Sequence, residues 1–74
     1  MVESVQSFIQ ALLSQKIAVR LDGNAMVTGI LISVDDHCNL LLSDCIYTAA
    51  GSKMNLSNLL VRGSSVVFMT QLHA

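Results

Sequence analysis

The sequence predicts a mainly β protein: an N-terminal α-helix followed by a strongly bent, five-stranded antiparallel sheet forming a small, partly open barrel. Three observations carry this. Apolar residues recur at helical spacing up to about Ser14 and with period two afterwards. Five short apolar or alternating segments then succeed one another. Their connections are tight and made of turn residues, which suits a small barrel of sequential strands.

The helix is expected over about residues 3–14. Val5, Phe8, Ile9, Leu12 and Leu13 follow the i, i+3, i+4 pattern of a core-facing stripe. Ser4 is the expected N-cap, because its side-chain oxygen can accept a first-turn backbone N–H. In "KIAVRL", Ile17, Val19 and Leu21 alternate with Lys16, Ala18 and Arg20, which reads as a first strand with one wet face. "DGN" (residues 22–24) turns the chain, since Gly and Asn tolerate positive φ. "MVTGILISV" is the second strand, and Gly29 in its middle predicts a bend or a close backbone approach. "DDHC" is a turn and "NLLLSDCIYT" the third strand. "AAGSKMN" reads as a loop, "LSNLLV" as the fourth strand, "RGSS" as a tight connection and "VVFMT" as the fifth strand.

Composition limits the functions open to this chain. Its 74 residues are enough for one small domain, 1–74, yet 53% are hydrophobic and only 12% charged, with a mean hydropathy of +0.62. A domain this small buries only about 60% of its unfolded surface. The surplus apolar surface is therefore expected to be covered by other subunits. "LSNLLV" and "VVFMT" carry no lysine, glutamate or proline that would blunt a free strand edge. The net charge of −1 excludes a broadly basic nucleic-acid binder, so any RNA contact must be local and repeated by oligomerisation. No apolar run approaches the roughly 18 residues of a membrane helix. The N-terminus lacks the basic start of a secretory signal. Cys38 and Cys45, the two cysteines, form no disulfide framework and are read as reduced thiols of a cytosolic or nuclear protein.

Most of the polar chemistry is concentrated in "VDDHCNLLL" (residues 34–42). Read alone, "DDHCN" is a polar turn, because Asp and Asn bond their own backbone. Asp35 and Asp36 form a weak acid–base pair, since adjacent side chains point apart and no second polar group supplies a nucleophile. Ser43 or Cys45 with His37 lacks any nucleophile signature. Cys38, Cys45, His37 and His73 match the ligand count of a zinc site but not its spacing. No metal, cofactor or catalytic set is expected, and the chain is not expected to be an enzyme.

Two longer stretches carry a resemblance. The first includes "LDGNAMVTGILISVDDHCNLLLSDC" and the second is "LLVRGSSVVFM". Together they resemble the Sm1 motif (residues 16–48) and the Sm2 motif (residues 56–70) of the Sm and Sm-like (LSm) proteins. The resemblance implies the Sm fold. It also implies a ring, with seven subunits the expected number, in which the fourth strand of one subunit pairs with the fifth of the next. Other Sm/LSm subunits or copies of this chain would be the partners, with no membrane involved. The implied ligand is uridine-rich single-stranded RNA. By the same resemblance, His37 stacks on a base, Asn39 bonds its edge, Arg62 stacks from the other side, and Gly63 permits the turn that brings Arg62 near. Asp35 would hold the asparagine loop. These residue types suit the task, since unstacked bases are read on flat side chains and by hydrogen bonds to their edges. Spliceosomal small nuclear RNA or mRNA bound for decay would be the target, in the nucleus or cytoplasm. The alternative is an Sm-fold scaffold without RNA, such as an auxiliary subunit of an N-terminal acetyltransferase. Three features depart from the pattern: Cys38 at a position often apolar, the extra carboxylate of Asp36, and a nearly neutral end to the third strand.

Overall fold

A computed structural model describes residues 3–72, with the side chains of residues 3–6 left aside. One helix, α1 (Glu3–Gln10), precedes five strands: β1 (Lys16–Leu21), β2 (Met26–Val34), β3 (Leu40–Ala49), β4 (Ser52–Val61) and β5 (Val66–Gln71). They form one antiparallel sheet in the order β4-β3-β2-β1-β5. The sheet does not close: β4 and β5 are its two free edges.

The helix is shorter than the apolar period implied. After Ala11, whose N–H still donates to the Ser7 carbonyl, the bonds tighten to three residues: Leu12 to Ile9, Leu13 to Gln10, and Gln15 to Leu12. Such turns end helices. Ser14, with φ 66°, completes the stop, and its N–H donates to the Leu31 carbonyl at 2.7 Å. Ser4 lies inside the first helical turn and is not a residue preceding it. Because the helix stops at Gln10, only part of its stripe faces inward. Ile9 and Leu12 are buried, whereas Phe8 and Leu13 are exposed.

Bulges bend the sheet. Thr28 pairs with Ile46 and Ile30 with Ser43, so Gly29 faces two residues, Asp44 and Cys45. Asp44 takes φ 51° there, the left-handed conformation that Asp tolerates better than most residues. A β-carbon on Gly29 would lie 2.9 Å from the Ser43 carbonyl oxygen and 3.1 Å from the Cys45 sulfur. The close approach expected at this glycine is real, and the bulge opposite causes it.

"AAGSKMN" is not a loop. Ala49 pairs with Ser52, leaving a two-residue turn, Ala50-Gly51, with φ 52° and 80°. Two successive positive φ values are the signature of a type I′ hairpin. The third and fourth strands therefore form one long hairpin, and β4 begins four residues earlier than "LSNLLV".

The core runs under the bend. Ile17, Val19, Val27, Leu31, Leu40 and Leu42 are fully buried, with Cys45 and Val61 nearly so. Ala18 is buried as well, against the wet face expected for it, because β1 is flanked by strands on both sides. The pairing of Leu40 with Val61 positions the site. It sets Asn39 and Arg62, each one residue beyond that pair, at the same end of the barrel.

Candidate nucleic-acid interface

Two connections meet at that end: Asp35–Asn39 between β2 and β3, and Arg62–Ser65 between β4 and β5. The first is closed by backbone bonds. The Asp35 N–H donates to the Asn39 carbonyl at 3.1 Å, and the Cys38 N–H to the Asp35 carbonyl at 3.0 Å. Cys38 turns the chain with φ 62°.

The Asp35 carboxylate organises this loop. Its Oδ1 accepts the backbone N–H groups of His37 at 2.8 Å and Asn39 at 2.9 Å. Its Oδ2 accepts the Asn39 side-chain Nδ2 at 2.9 Å. Asn39 in turn accepts the Gly63 backbone N–H on Oδ1 at 2.7 Å. A chain of hydrogen bonds thus runs Asp35–Asn39–Gly63 and joins the two loops. The Asn39 side-chain bond, then the backbone N–H donors, hold the Asp35 carboxyl below its ordinary value of 3.8, so it is ionised at neutral pH.

Gly63 is required for a different reason from the one its turn suggested. It stands at the start of a short 3₁₀ turn, Gly63–Ser65, and its φ is not positive. What excludes a side chain is space. A β-carbon there would collide with the His37 carbonyl oxygen and lie 2.8 Å from that of Cys38. The backbones of the two loops are in contact.

The structure therefore brings Asp35, His37, Asn39 and Gly63 together, with Arg62 beside them in sequence. His37 and Arg62 are exposed, and Asn39 and Gly63 are half-buried. The turn and the site are the same object, since the bonds that close the turn also orient Asn39. The join between Asn39 and the Gly63 N–H was not visible in either motif, because a backbone donor carries no residue signature.

The competing chemistries find little here. Cys45 is 2% exposed in the core, and burial, then the charge of Asp44, pushes its thiol up from 9.0. It is a protonated core residue, not a nucleophile. Both cysteines are free. Among the described residues no group of three or more His, Cys, Asp or Glu is placed to hold a metal ion. His73 lies outside the described residues. Among the described residues, no helix is long and apolar enough to cross a membrane.

Beside the site, an apolar groove of about 320 Å³ opens between Phe8 and Ile9 of α1 and Val66–Met69 at the β5 edge. Exposed apolar side chains lie along both free edges: Met54 and Leu60 on β4, Val67 and Phe68 on β5.

A family model described as LSM domain matches residues 7–71. A Dictyostelium discoideum protein, "Probable small nuclear ribonucleoprotein G", is 33% identical over 64 residues, covering 85% of this chain and 75% of its own. The heptameric SmAP1 of P. aerophilum superposes with a TM-score of 0.85 at 28% identity, covering 96% of each chain. The Pyrococcus abyssii Sm protein, solved in complex with a uridine heptamer, has a TM-score of 0.82 at 24% identity, covering 90% of this chain and 96% of its own. At that identity the likeness speaks for the fold.

Proposed function

The chain belongs to the LSM domain family, and from that premise we propose that it is a non-catalytic, ring-forming subunit that binds uridine-rich single-stranded RNA. The observation that carries this reading is the hydrogen-bonded join of the two loops through Asn39. It holds an amide, the group suited to reading a base edge, between the two loops that carry the exposed residues His37 and Arg62, whose side chains are flat.

The roles we assign follow from the side chains. His37 stacks on a base. Arg62 stacks and supplies the positive charge, Asn39 reads the edge, and Asp35 and Gly63 hold Asn39 in place. Each subunit would contribute one such pocket, so affinity accumulates around a ring. The free edges of β4 and β5, which carry exposed apolar side chains and a single charge, Lys53 at the hairpin end of β4, support ring formation, because each offers unpaired backbone groups to a neighbour. Heptameric assembly in SmAP1 makes seven the subunit number to test. The likeness to a small nuclear ribonucleoprotein favours a place in small nuclear RNA or mRNA processing, in the nucleus or cytoplasm.

The test is retention of oligo-uridine by the purified protein over a series of salt concentrations. We expect binding that weakens as salt rises, with a slope reduced in Arg62→Ala. An assembled ring that holds no oligo-uridine at low salt would instead support the scaffold reading without RNA.

A further inference from the structure

We propose that the outer face of the sheet, around Phe68 and Arg20, is a second contact for single-stranded RNA, separate from the loop pocket.

The strand registers set one residue of each strand in a row across the whole sheet. Phe68 pairs with Arg20, Arg20 with Met26, Met26 with Thr48, and Thr48 with Lys53. Directly paired residues project from the same face. That face is the outer one, because the sequence neighbours Val19, Val27 and Met69 turn to the core. Along β1, Lys16 falls on the same side as Arg20. The row lies away from the loop pocket, since Thr48 is at the far end of β3 from Asn39.

Charge is gathered here. The chain has four Lys and Arg in all, and three of them, Lys16, Arg20 and Lys53, stand exposed on this face. The row contains no carboxylate. Asp22 lies in the turn after β1, and Asp44 in the bulge of β3. Among the described residues, neither Arg20 nor Lys53 has an ion-pair partner. A protein of net charge −1 thus keeps most of its positive charge on one side of its sheet.

Phe68 decides what that charge suits. It is 56% exposed, and its directly opposed partner is Arg20. Such pairs start about 4.5–5.5 Å apart at the β-carbons. A base can stack on the phenyl ring while the guanidinium beside it meets a phosphate. An acidic peptide would satisfy the cations and leave the ring uncovered. Lys53 stands three strands from Arg20, about 14 Å along the sheet, in line to meet the strand further on. Side chains stand roughly perpendicular to a sheet, so a neighbour pairing with the β5 edge leaves the outer side of Phe68 open. Copies joined edge to edge would carry the face from subunit to subunit, and RNA long enough to reach both sites would gain affinity from the linkage.

The chain has no tryptophan, so Phe68→Trp places a sole fluorescent reporter on the face. Rings of intact mass are titrated with a uridine heptamer, one per ring, and with oligo-uridine several times longer. We expect the long RNA to quench the Phe68→Trp fluorescence. Arg20→Gln should bind the long RNA about fivefold or more weakly, with a reduced salt slope. It should hold the heptamer as the parent does, whereas Arg62→Ala should weaken both.

Bound long RNA that leaves the tryptophan unquenched would overturn the inference and leave the pocket reading standing. Parental affinity for long RNA in Arg20→Gln, or equal loss of both RNAs, would overturn it as well. Quenching by oligo-glutamate but not by RNA would overturn it in favour of an acidic protein partner. A parent that fails to hold the heptamer, while long RNA still quenches the reporter, would instead overturn the pocket reading alone. If Phe68→Trp does not assemble, Arg20→Gln, one strand in from the edge, decides by itself.

Discussion

The α-carbon of Gly63 faces the Cys38 carbonyl so closely that a β-carbon would lie 2.8 Å from its oxygen. Backbone meets backbone here, and neither side can yield by rotating a side chain. The two loops that form the candidate site are therefore kept together by the absence of a methyl group.

Gly63→Ala should push the loops apart and stretch the Asn39–Gly63 bond. Overpacking of this kind costs about 1–3 kcal/mol. Most of the core, from Ile17 to Leu31 and Cys45, lies on strands that this contact does not touch, so the fold should survive with a lowered denaturation midpoint. Binding to oligo-uridine should fall by about tenfold or more, because the amide loses one of its two anchors. Binding equal to the parent's in a folded Gly63→Ala ring would show that the join is dispensable.

Gly29 poses the same problem inside the sheet. Gly29→Ala should destabilise the protein by about 1–3 kcal/mol, because the new methyl meets Ser43 oxygen and Cys45 sulfur. Cys45→Ala alone removes buried volume and should cost about 1 kcal/mol. Combined, the two should cost less than their sum, since the sulfur contact is gone while the Ser43 backbone contact remains. A double-mutant cycle by urea denaturation measures this coupling. Strict additivity would mean that the backbone oxygen alone sets the cost.

Most of the fold was legible because the period of apolar residues changes once, at Ser14, and the turn residues punctuate the rest. The failures have physical reasons. Propensity and stripe both continue past Gln10, but tertiary bonds from Ser14 to Leu31 win, and the helix stops early. The Ala50-Gly51 turn lacks the Asn-Gly or Asp-Gly pair that marks such hairpins. Alanine at φ 52° is tolerated because long paired strands on both sides enforce it. At the candidate site, the motifs pointed to Asp35, Asn39 and Gly63, which hydrogen bonds join. The reason for Gly63 was misread, because a steric requirement from a loop 24 residues away leaves no local trace.

Asp35 gives the protein a defined acid response. Its folded-state pKa is depressed, so the stabilisation it provides is complete above the unfolded value. It is lost as the pH falls through the lower, folded value. Between about pH 5 and pH 3 the parent should lose stability that Asp35→Ala, already lacking it, does not lose. Urea midpoints of both proteins at the two pH values provide the comparison. Parallel declines would assign the acid sensitivity to other carboxylates.

Assembly is tested at Val67. It lies in the β1–β5 bulge, where Phe68 pairs with Arg20 and Val66 with Leu21, so Val67 has no partner on β1. It is 60% exposed on the free strand. Proline there should spare the chain's own sheet while removing a donor from the edge. Val67→Pro should therefore remain folded by circular dichroism but lose the oligomeric mass of the parent in light scattering. A parent that is a monodisperse monomer at micromolar concentration would refute the ring before any substitution.

The assigned roles at the pocket predict three different failures. Arg62→Ala removes a stacking plane and a charge, so it should weaken oligo-uridine binding and flatten its salt dependence. His37→Ala removes stacking alone, worth about 1–3 kcal/mol per base. It should weaken uridine and cytidine oligomers together and leave the salt slope of the parent. Asn39→Ala removes edge readout, so preference for uridine over cytidine should shrink more than affinity for either. Subunit repetition decides the scale. In a ring of identical chains every pocket changes, and each loss is multiplied around the ring. In a ring of different chains one pocket among several changes, and the loss is mild. Salt-dependent titrations of the three variants, each first checked for intact ring mass, separate these cases. If all three bind as the parent does in a ring of identical chains, residues 35–39 are a turn ahead of a strand, and the RNA-free scaffold is the better reading.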